Sequence, residues 1–242
     1  MIVQIVSSCW RYWRCLNYHL SAVALDPPRS STVVVSVAYS VEDEPTIRVL
    51  DHFSGMSIDR VVWDFRPMDR THLMRRAIAR NLFAKSAIGD WLVFTDVDYI
   101  YSGTVVDSLA LDLSRLDCGS GKVLAYTPNL CQSVDHAAGD AVLSRVAKPG
   151  PLVLGGHFDR NAITRPIGGS QIVSKATATE FGYVPDLVKF QTPCDTWQRT
   201  FEDVAYRQDL LRGGAMVTPL RTTGVTRIRH SKCGRETVGC EN

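Results

Sequence analysis

Phe94-Thr95-Asp96-Val97-Asp98 sets two carboxylates two residues apart, directly after the apolar run Trp91-Leu92-Val93. Along an extended chain, residues i and i+2 point the same way, so Asp96 and Asp98 are expected to share one side. Two hard oxygen ligands on one side suit Mg²⁺ or Mn²⁺, which complete their coordination with substrate phosphates. Without a cation, bringing two carboxylates together raises the pKa of one of them. A solvated pair in a turn is the plain alternative. The apolar strand in front of the pair argues for the metal.

Other side chains could act beside it. Glu202-Asp203 opens a helical segment. Thr200-Phe201-Glu202-Asp203 also resembles a capping box with Asp in place of Glu, and acids in a first turn are stabilised by the helix dipole. His230, in Arg227-Ile228-Arg229-His230-Ser231, is a neutral imidazole among arginines or a structural histidine. Gly168-Gly169-Ser170 is a turn whose glycines let the backbone approach a ligand closely, or simply lead into a strand. Trp10, Tyr12 and Trp13 beside Arg11 and Arg14 could stack sugars or bases, or form the core and rim of a first helix.

These residues need a scaffold. Ile2–Val6 reads as a strand and Tyr12–Leu25 as a helix, stopped by Asp26-Pro27-Pro28. Thr32–Tyr39 is a β-branched run of the kind buried on both faces. A helix over Glu44–Phe53, a short strand Val61–Trp63, a helix Thr71–Ile88 closed by Gly89, and a strand Trp91–Phe94 complete the first half. That alternation predicts an α/β fold with a mostly parallel sheet flanked by helices. In such sheets ligands bind beyond the carboxyl ends of the strands. The site is therefore expected at Ser7-Ser8, Ser40 to Asp43, Phe65-Arg66 and Thr95 to Asp98. Later, Val105–Leu116 and Asp135–Val146 read as helices and Lys122–Tyr126 as a strand. Pro149 to Pro166 reads as a Gly- and Pro-rich loop, Gly168 to Val173 as a strand entered through a turn, and Phe201–Arg212 as a helix closed by Gly213-Gly214.

The block Arg76-Ala77-Ile78-Ala79-Arg80-Asn81, followed by Ala87-Ile88-Gly89-Asp90 and the strand ending in Asp96-Val97-Asp98, resembles family 2-like GT-A glycosyltransferases. The resemblance implies one GT-A type, Rossmann-like domain over 1–242, with a nucleotide-sugar-binding half (1–100) and an acceptor-binding and catalytic half (101–242). It implies that Asp98 ligates the metal on the donor diphosphate, that Asp96 approaches the ribose or the metal through water, and that Arg80 lies near the donor. Ser8, Glu42 and Asp43 fall at donor-binding positions, although Ser40-Val41-Glu42-Asp43 departs from the family's paired aspartates. Gly168, Gly169 and Ser170 match the segment where donor sugar and acceptor meet. Asp203, or less directly Glu202, matches the catalytic base of inverting members, and His230 matches a late metal-binding histidine. The implied activity is metal-dependent transfer from a nucleoside-diphosphate sugar, UDP-linked by preference, to an acceptor hydroxyl with inversion.

Composition is compatible with this. The 242 residues are 45% hydrophobic and 21% charged, with a net charge of +2, which by itself does not announce a nucleic-acid binder. Two basic blocks stand out. Seven Arg or Lys lie between Arg60 and Lys85 against Asp64 and Asp69, and seven between Val204 and Arg235 against Asp209 alone. Both could face one anionic ligand or be solvated faces. Modified DNA as acceptor would reconcile the basic blocks with the motifs. The seven cysteines contain no CxxC and fit mostly reduced thiols of a cytoplasmic protein. Met1–Ser8 lacks the basic region of a signal peptide, and no run is long enough to span a membrane. The alternatives are a non-catalytic carbohydrate- or nucleic-acid-binding relative, and a nucleotidyltransferase. Ile5 to Trp10 lacks the glycine- and lysine-rich phosphate loop expected of the latter.

Overall fold

The computed structural model describes residues 1–116, 122–197 and 200–231. Of the seven cysteines Cys118, Cys233 and Cys240, and of the second basic block Lys232 and Arg235, lie outside these residues. In chain order the elements are β1 (Ile2–Cys9), α1 (Trp13–Leu25), β2 (Thr32–Tyr39), α2 (Glu44–Ser54), β3 (Val61–Pro67), α3 (Arg70–Leu73), α4 (Arg76–Lys85) and β4 (Trp91–Phe94). There follow β5 (Tyr99–Ile100), α5 (Gly103–Ser114), β6 (Val123–Tyr126), β7 (Asn129–Ser133), α6 (His136–Leu143), β8 (Phe158–Ala162), β9 (Gln171–Ser174), α7 (Lys175–Phe181), α8 (Val188–Gln191), α9 (Glu202–Arg212), β10 (Met216–Pro219) and β11 (Val225–Arg227).

Seven strands form one sheet in the order β10-β6-β9-β4-β1-β2-β3, with β9 antiparallel to both neighbours and the other pairings parallel. The α/β expectation holds. β1 and β2 are buried along nearly their whole length, because helices cover both faces. Val3, Ile5, Val33, Val35 and Val37 point into one core with Leu16 and Leu20 of α1, Val49 and Phe53 of α2, and Val106 and Leu109 of α5. Val6, Leu92 and Phe94 point into the other, with Phe83 of α4, Ala178 of α7, and Tyr206 and Leu210 of α9. The period-2 alternation of the strands divides the two cores. Among the described residues, no helix is long and apolar enough to cross a membrane.

A second sheet, β5-β11-β7-β8, leans on the first. Its strand β5 starts immediately after Asp98, and β11 pairs with it antiparallel through Thr226↔Ile100 and Arg227↔Tyr99. Two expectations are corrected here. The segment Pro149 to Pro166 is not simply a loop, because Phe158–Ala162 forms β8 against β7. The helix expected over Thr71–Ile88 is two helices, interrupted at Arg75, whose backbone is extended (φ −107°, ψ 86°). The second ends at Lys85, so Gly89 does not cap it, and Ile88 is exposed rather than part of the buried stripe.

Candidate active site

Strand order reverses direction between β1 and β4, and a cleft of about 470 Å³ opens beyond their carboxyl ends. This is where an open parallel sheet leaves room for a ligand. Ser8 and Trp10 reach it from the end of β1, Tyr12 from the start of α1, Arg76 from α4, and Asp96 and Asp98 from the turn after β4. The far wall consists of His136 on α6 and of Arg227, Arg229 and His230 on and after β11, with Trp197 beside them.

Asp96 and Asp98 share the cleft for a different reason than strand alternation. The chain turns at this point, with the amide of Tyr99 donating to the carbonyl of Asp96 at 3.0 Å. Asp96 accepts from Arg76 Nη1 at 2.8 and 2.9 Å and from Arg80 Nη2 at 3.1 Å. Asp98 is buried and accepts from Arg227 Nε at 3.2 Å. Burial, then the neighbouring Asp96, push its carboxyl above the usual range, while Arg227 and His230 pull against them. The β5–β11 pairing and the bond from the Ile228 amide to the Asp98 carbonyl, 2.8 Å, fasten Arg227 to this turn.

Arg80 does not line the cleft. Its buried guanidinium donates to Tyr183 Oη at 2.7 Å, the Thr95 carbonyl at 3.2 Å, the Gly168 carbonyl at 2.8 Å and Asp96. It is a bracket that holds Asp96 and Gly168 in register. Its neighbour Arg76, one helical turn earlier, is the arginine that faces the cleft. Arg76 also forms an ion pair with Glu202 at 2.7 Å. Glu202 is buried against Arg76 and accepts from Thr200 Oγ1 at 2.6 Å. Burial raises its carboxyl, but Arg76 and Arg80 outweigh that and hold it below its ordinary value.

The capping box expected at Thr200 does not form. The residue preceding α9 is Phe201, in the left-handed region at φ 55°, and no side chain caps the helix. That backbone conformation is costly for a bulky residue, and it separates the two acids that follow. Glu202 turns inward. Asp203, half-buried, lies against Gly168, and its carboxylate makes no hydrogen bond or ion pair among the described residues.

Gly169 owes its identity to packing. A Cβ there would stand 2.1 Å from the ring of Tyr99, while its carbonyl accepts from Thr95 Oγ1 and Tyr101 Oη. The close approach expected for a ligand is made by Tyr99 instead. Ser170 is fully buried and binds Thr127 through the amide (3.0 Å) and hydroxyl (2.9 Å) of that residue. Gly168, Gly169, Ser170 and Asp203 do not line the cleft; Gly168 is tied to Asp96 through Arg80, and Asp203 packs on Gly168. Asp43 is also committed, accepting from the Arg11 amide at 2.5 Å and Thr46 Oγ1 at 2.7 Å. Glu42 is exposed and pairs with Arg70 at 3.4 Å. Neither lines the cleft.

His230 stacks near Tyr12, ring centroids 4.8 Å apart, and its Nδ1 lies 2.8 Å from the Ser231 carbonyl. A carbonyl only accepts, so Nδ1 carries the proton and the lone pair of the neutral ring is on Nε2. Ser231 is itself held by Asp140 of α6 through its amide at 2.9 Å and its hydroxyl. Among the described residues, no group of three His, Cys, Asp or Glu side chains is placed to hold a metal ion. Asp96, Asp98 and His230 border one cleft, with both carboxylates engaged by arginines. Oxygen donors of this kind suit a hard divalent cation, which would need further ligands from a bound phosphate.

The chain matches no protein-family model and no curated protein. Its fold is similar to those of solved glycosyltransferases. The mannosyltransferase PcManGT from Pyrobaculum calidifontis, in complex with GDP-Man and Mn²⁺, is 15% identical over 96% of this chain and 58% of its own, with a TM-score of 0.55. S. aureus TarS is 11% identical over 94% of this chain and 36% of its own, at 0.61. TarS 1-349 in complex with UDP-GlcNAc is 12% identical over 99% and 62%, at 0.58. The chain thus spans less than two thirds of each of these proteins.

Proposed function

We propose that this chain is a metal-assisted glycosyltransferase that moves a sugar from a nucleoside-diphosphate donor, UDP-linked in our reading, to an acceptor hydroxyl with inversion. The observation that carries the reading is the Asp96-Val97-Asp98 turn, which faces the cleft at the carboxyl end of β4, with Asp96 locked by two arginines. Likeness in fold to proteins solved with GDP-Man and with UDP-GlcNAc supports it.

Residues 1–100 hold the donor in this reading and the remainder brings the acceptor. Asp98 and His230 Nε2 would hold Mn²⁺ or Mg²⁺, with Asp96 behind them. The bound ion neutralises negative charge on the leaving diphosphate. Arg76, kept charged and oriented by Asp96 and Glu202, adds a guanidinium to the same end of the cleft. Asp203, which lies against Gly168 outside the cleft lining, is in this reading the base that takes the proton of an acceptor hydroxyl arriving from the Gly168 side, as that oxygen bonds to C1 of the sugar. The C1–O bond to the diphosphate breaks, and its electron pair leaves with the phosphate. Glu202, consumed by Arg76, is a positioning residue.

The deciding experiment is a thermal-shift panel of UDP-, GDP- and other nucleotide sugars, with and without Mn²⁺, on the wild-type chain and on Asp98→Ala. Binding to the folded state raises the melting temperature by mass action. The expected result is a shift with one nucleotide class that needs both Mn²⁺ and Asp98. No shift with any nucleotide at about 1 mM would overturn the reading.

A further inference from the structure

The cleft carries more positive charge than its own carboxylates require. Its acids are Asp96 and Asp98, its permanent cations are Arg76, Arg227 and Arg229, and the imidazoles of His136 and His230 line it too. Asp96 is matched by Arg76 and Arg80, and Asp98 by Arg227. Arg229 has no carboxylate partner among the described residues. Its only side-chain bond among them is from Nη1 to the carbonyl of Val134, 2.7 Å. The diphosphate of a sugar donor and the divalent cation that accompanies it cancel to first order. Loading the donor therefore leaves the surplus on this wall unanswered.

The wall is also built to hold still. The Arg229 amide donates to Ser133 Oγ at 2.8 Å. Its carbonyl presses so closely on α6 that a Cβ at Gly139 would come within 1.5 Å of it. The backbone of Arg229 and the first turn of α6, which carries His136, are thus fixed relative to one another. The Arg229 guanidinium, bonded once to the Val134 carbonyl, presents a planar fork that matches phosphate oxygens. Trp10, Tyr12 and Trp197 line the same cleft, and ring faces accommodate the apolar side of a sugar or polyol.

We propose that the acceptor carries a phosphate ester, and that Arg229 with His136 receives that phosphate. This rests on the glycosyltransferase reading above and names its acceptor class. The test follows the tryptophan fluorescence of the full chain loaded with Mg²⁺ and UDP or GDP, whichever binds. Two probes are titrated, an abasic deoxyribose phosphodiester hexamer and the same hexamer with neutral methylphosphonate linkages.

The charged hexamer should bind at least about tenfold more tightly than the neutral one, roughly what one charge-assisted contact provides. The preference should fade as salt is raised. Arg229→Gln should remove most of it, Arg229→Lys should keep most of it, and neither should change nucleotide affinity. His136→Gln, which leaves the Val134 bond intact, should weaken the charged probe alone. Equal binding of the two hexamers would overturn the proposal, as would an Arg229→Gln protein that still prefers the charged probe. Loss of nucleotide affinity in Arg229→Gln would overturn it too, by assigning that cation to the donor. If no nucleotide binds but the Arg229-dependent preference persists, the phosphate site stands and the glycosyltransferase reading falls.

Discussion

Glu202 and Asp203 are adjacent in sequence but have opposite environments, and that difference predicts opposite phenotypes. Glu202→Gln removes the charge that buried Glu202 turns toward Arg76 and should destabilise the fold by about 1–3 kcal/mol, visible as a lower urea midpoint. Asp203→Asn disturbs no ion pair. It should leave the midpoint and donor affinity near wild type while lowering kcat about 10²–10⁴-fold, the usual contribution of a general base. Near-normal turnover in Asp203→Asn would sink the base assignment. The sequence points to both acids through the resemblance of Glu202-Asp203 to the family's acidic pair, with Asp203 favoured, but not to the partners that set them apart. That division depends on Phe201 adopting φ 55° and on a partner, Arg76, far away in the chain. Arg76 was legible in part, since it lies four residues before Arg80 in the same segment. Nothing local marks Arg227 as the partner of Asp98, because that contact exists only once β11 pairs with β5.

At the scale of elements, the strands buried on both faces were the most readable. β2 and β4 begin and end where the apolar runs do, because a continuous β-branched stretch has few alternatives to the interior of a parallel sheet. β7, β8 and β11 were not readable. Asn129-Leu130-Cys131-Gln132-Ser133 and Phe158-Asp159-Arg160-Asn161-Ala162 are mostly polar and gain strand geometry from each other, so no local period announces them. The break at Arg75 was hidden for the same reason, with tertiary partners deciding where α4 begins. These elements meet at Tyr99. Its ring packs on Gly169, and its carbonyl lies 2.7 Å from Nδ1 of His19, a buried residue of α1. Gly169→Ala must displace that ring and should cost about 1–3 kcal/mol, with a loss of Mn²⁺-dependent nucleotide binding. Gly168→Ala meets only ordinary contacts at 3.5 Å and should be milder. Equal urea midpoints for the two variants would refute the packing account.

His19 also makes stability depend on pH. Burial lowers its pKa from 6.5 to about 4, and the bond to Tyr99 only partly offsets this. The unfolded chain therefore takes up the proton first, so stability is complete above about pH 6.5 and is lost progressively as pH falls toward 4. The full loss is about 3 kcal/mol. Urea midpoints measured from pH 7.5 to 5 should decline for the wild type and flatten in His19→Gln. Parallel pH profiles for the two proteins would show that His19 is not the source.

Over the whole molecule, the cleft has one wall on the large sheet and one on the small sheet with α6, and the turn after β4 is where the two join. Ser8, Asp96 and Arg76 belong to the first wall, while Arg227, Arg229, His230 and His136 belong to the second. A ligand confined to the parallel sheet would order only the ends of β1 and β4. A nucleoside diphosphate with a divalent ion shared between Asp98 and His230 must bridge both walls, because Asp98 and Arg227 are linked across the β5–β11 pairing. Amide exchange should then slow at 225–231 and 136–140 as well as at 94–99, since opening of the small sheet would break contacts to the ligand. In Asp98→Ala the added protection at 225–231 should vanish even at nucleotide concentrations that still protect β1. Protection confined to β1 and β4 in the wild type would mean that the far wall does not take part in donor binding. His230 would then lose its place beside the metal, while the phosphate site at Arg229 would be unaffected.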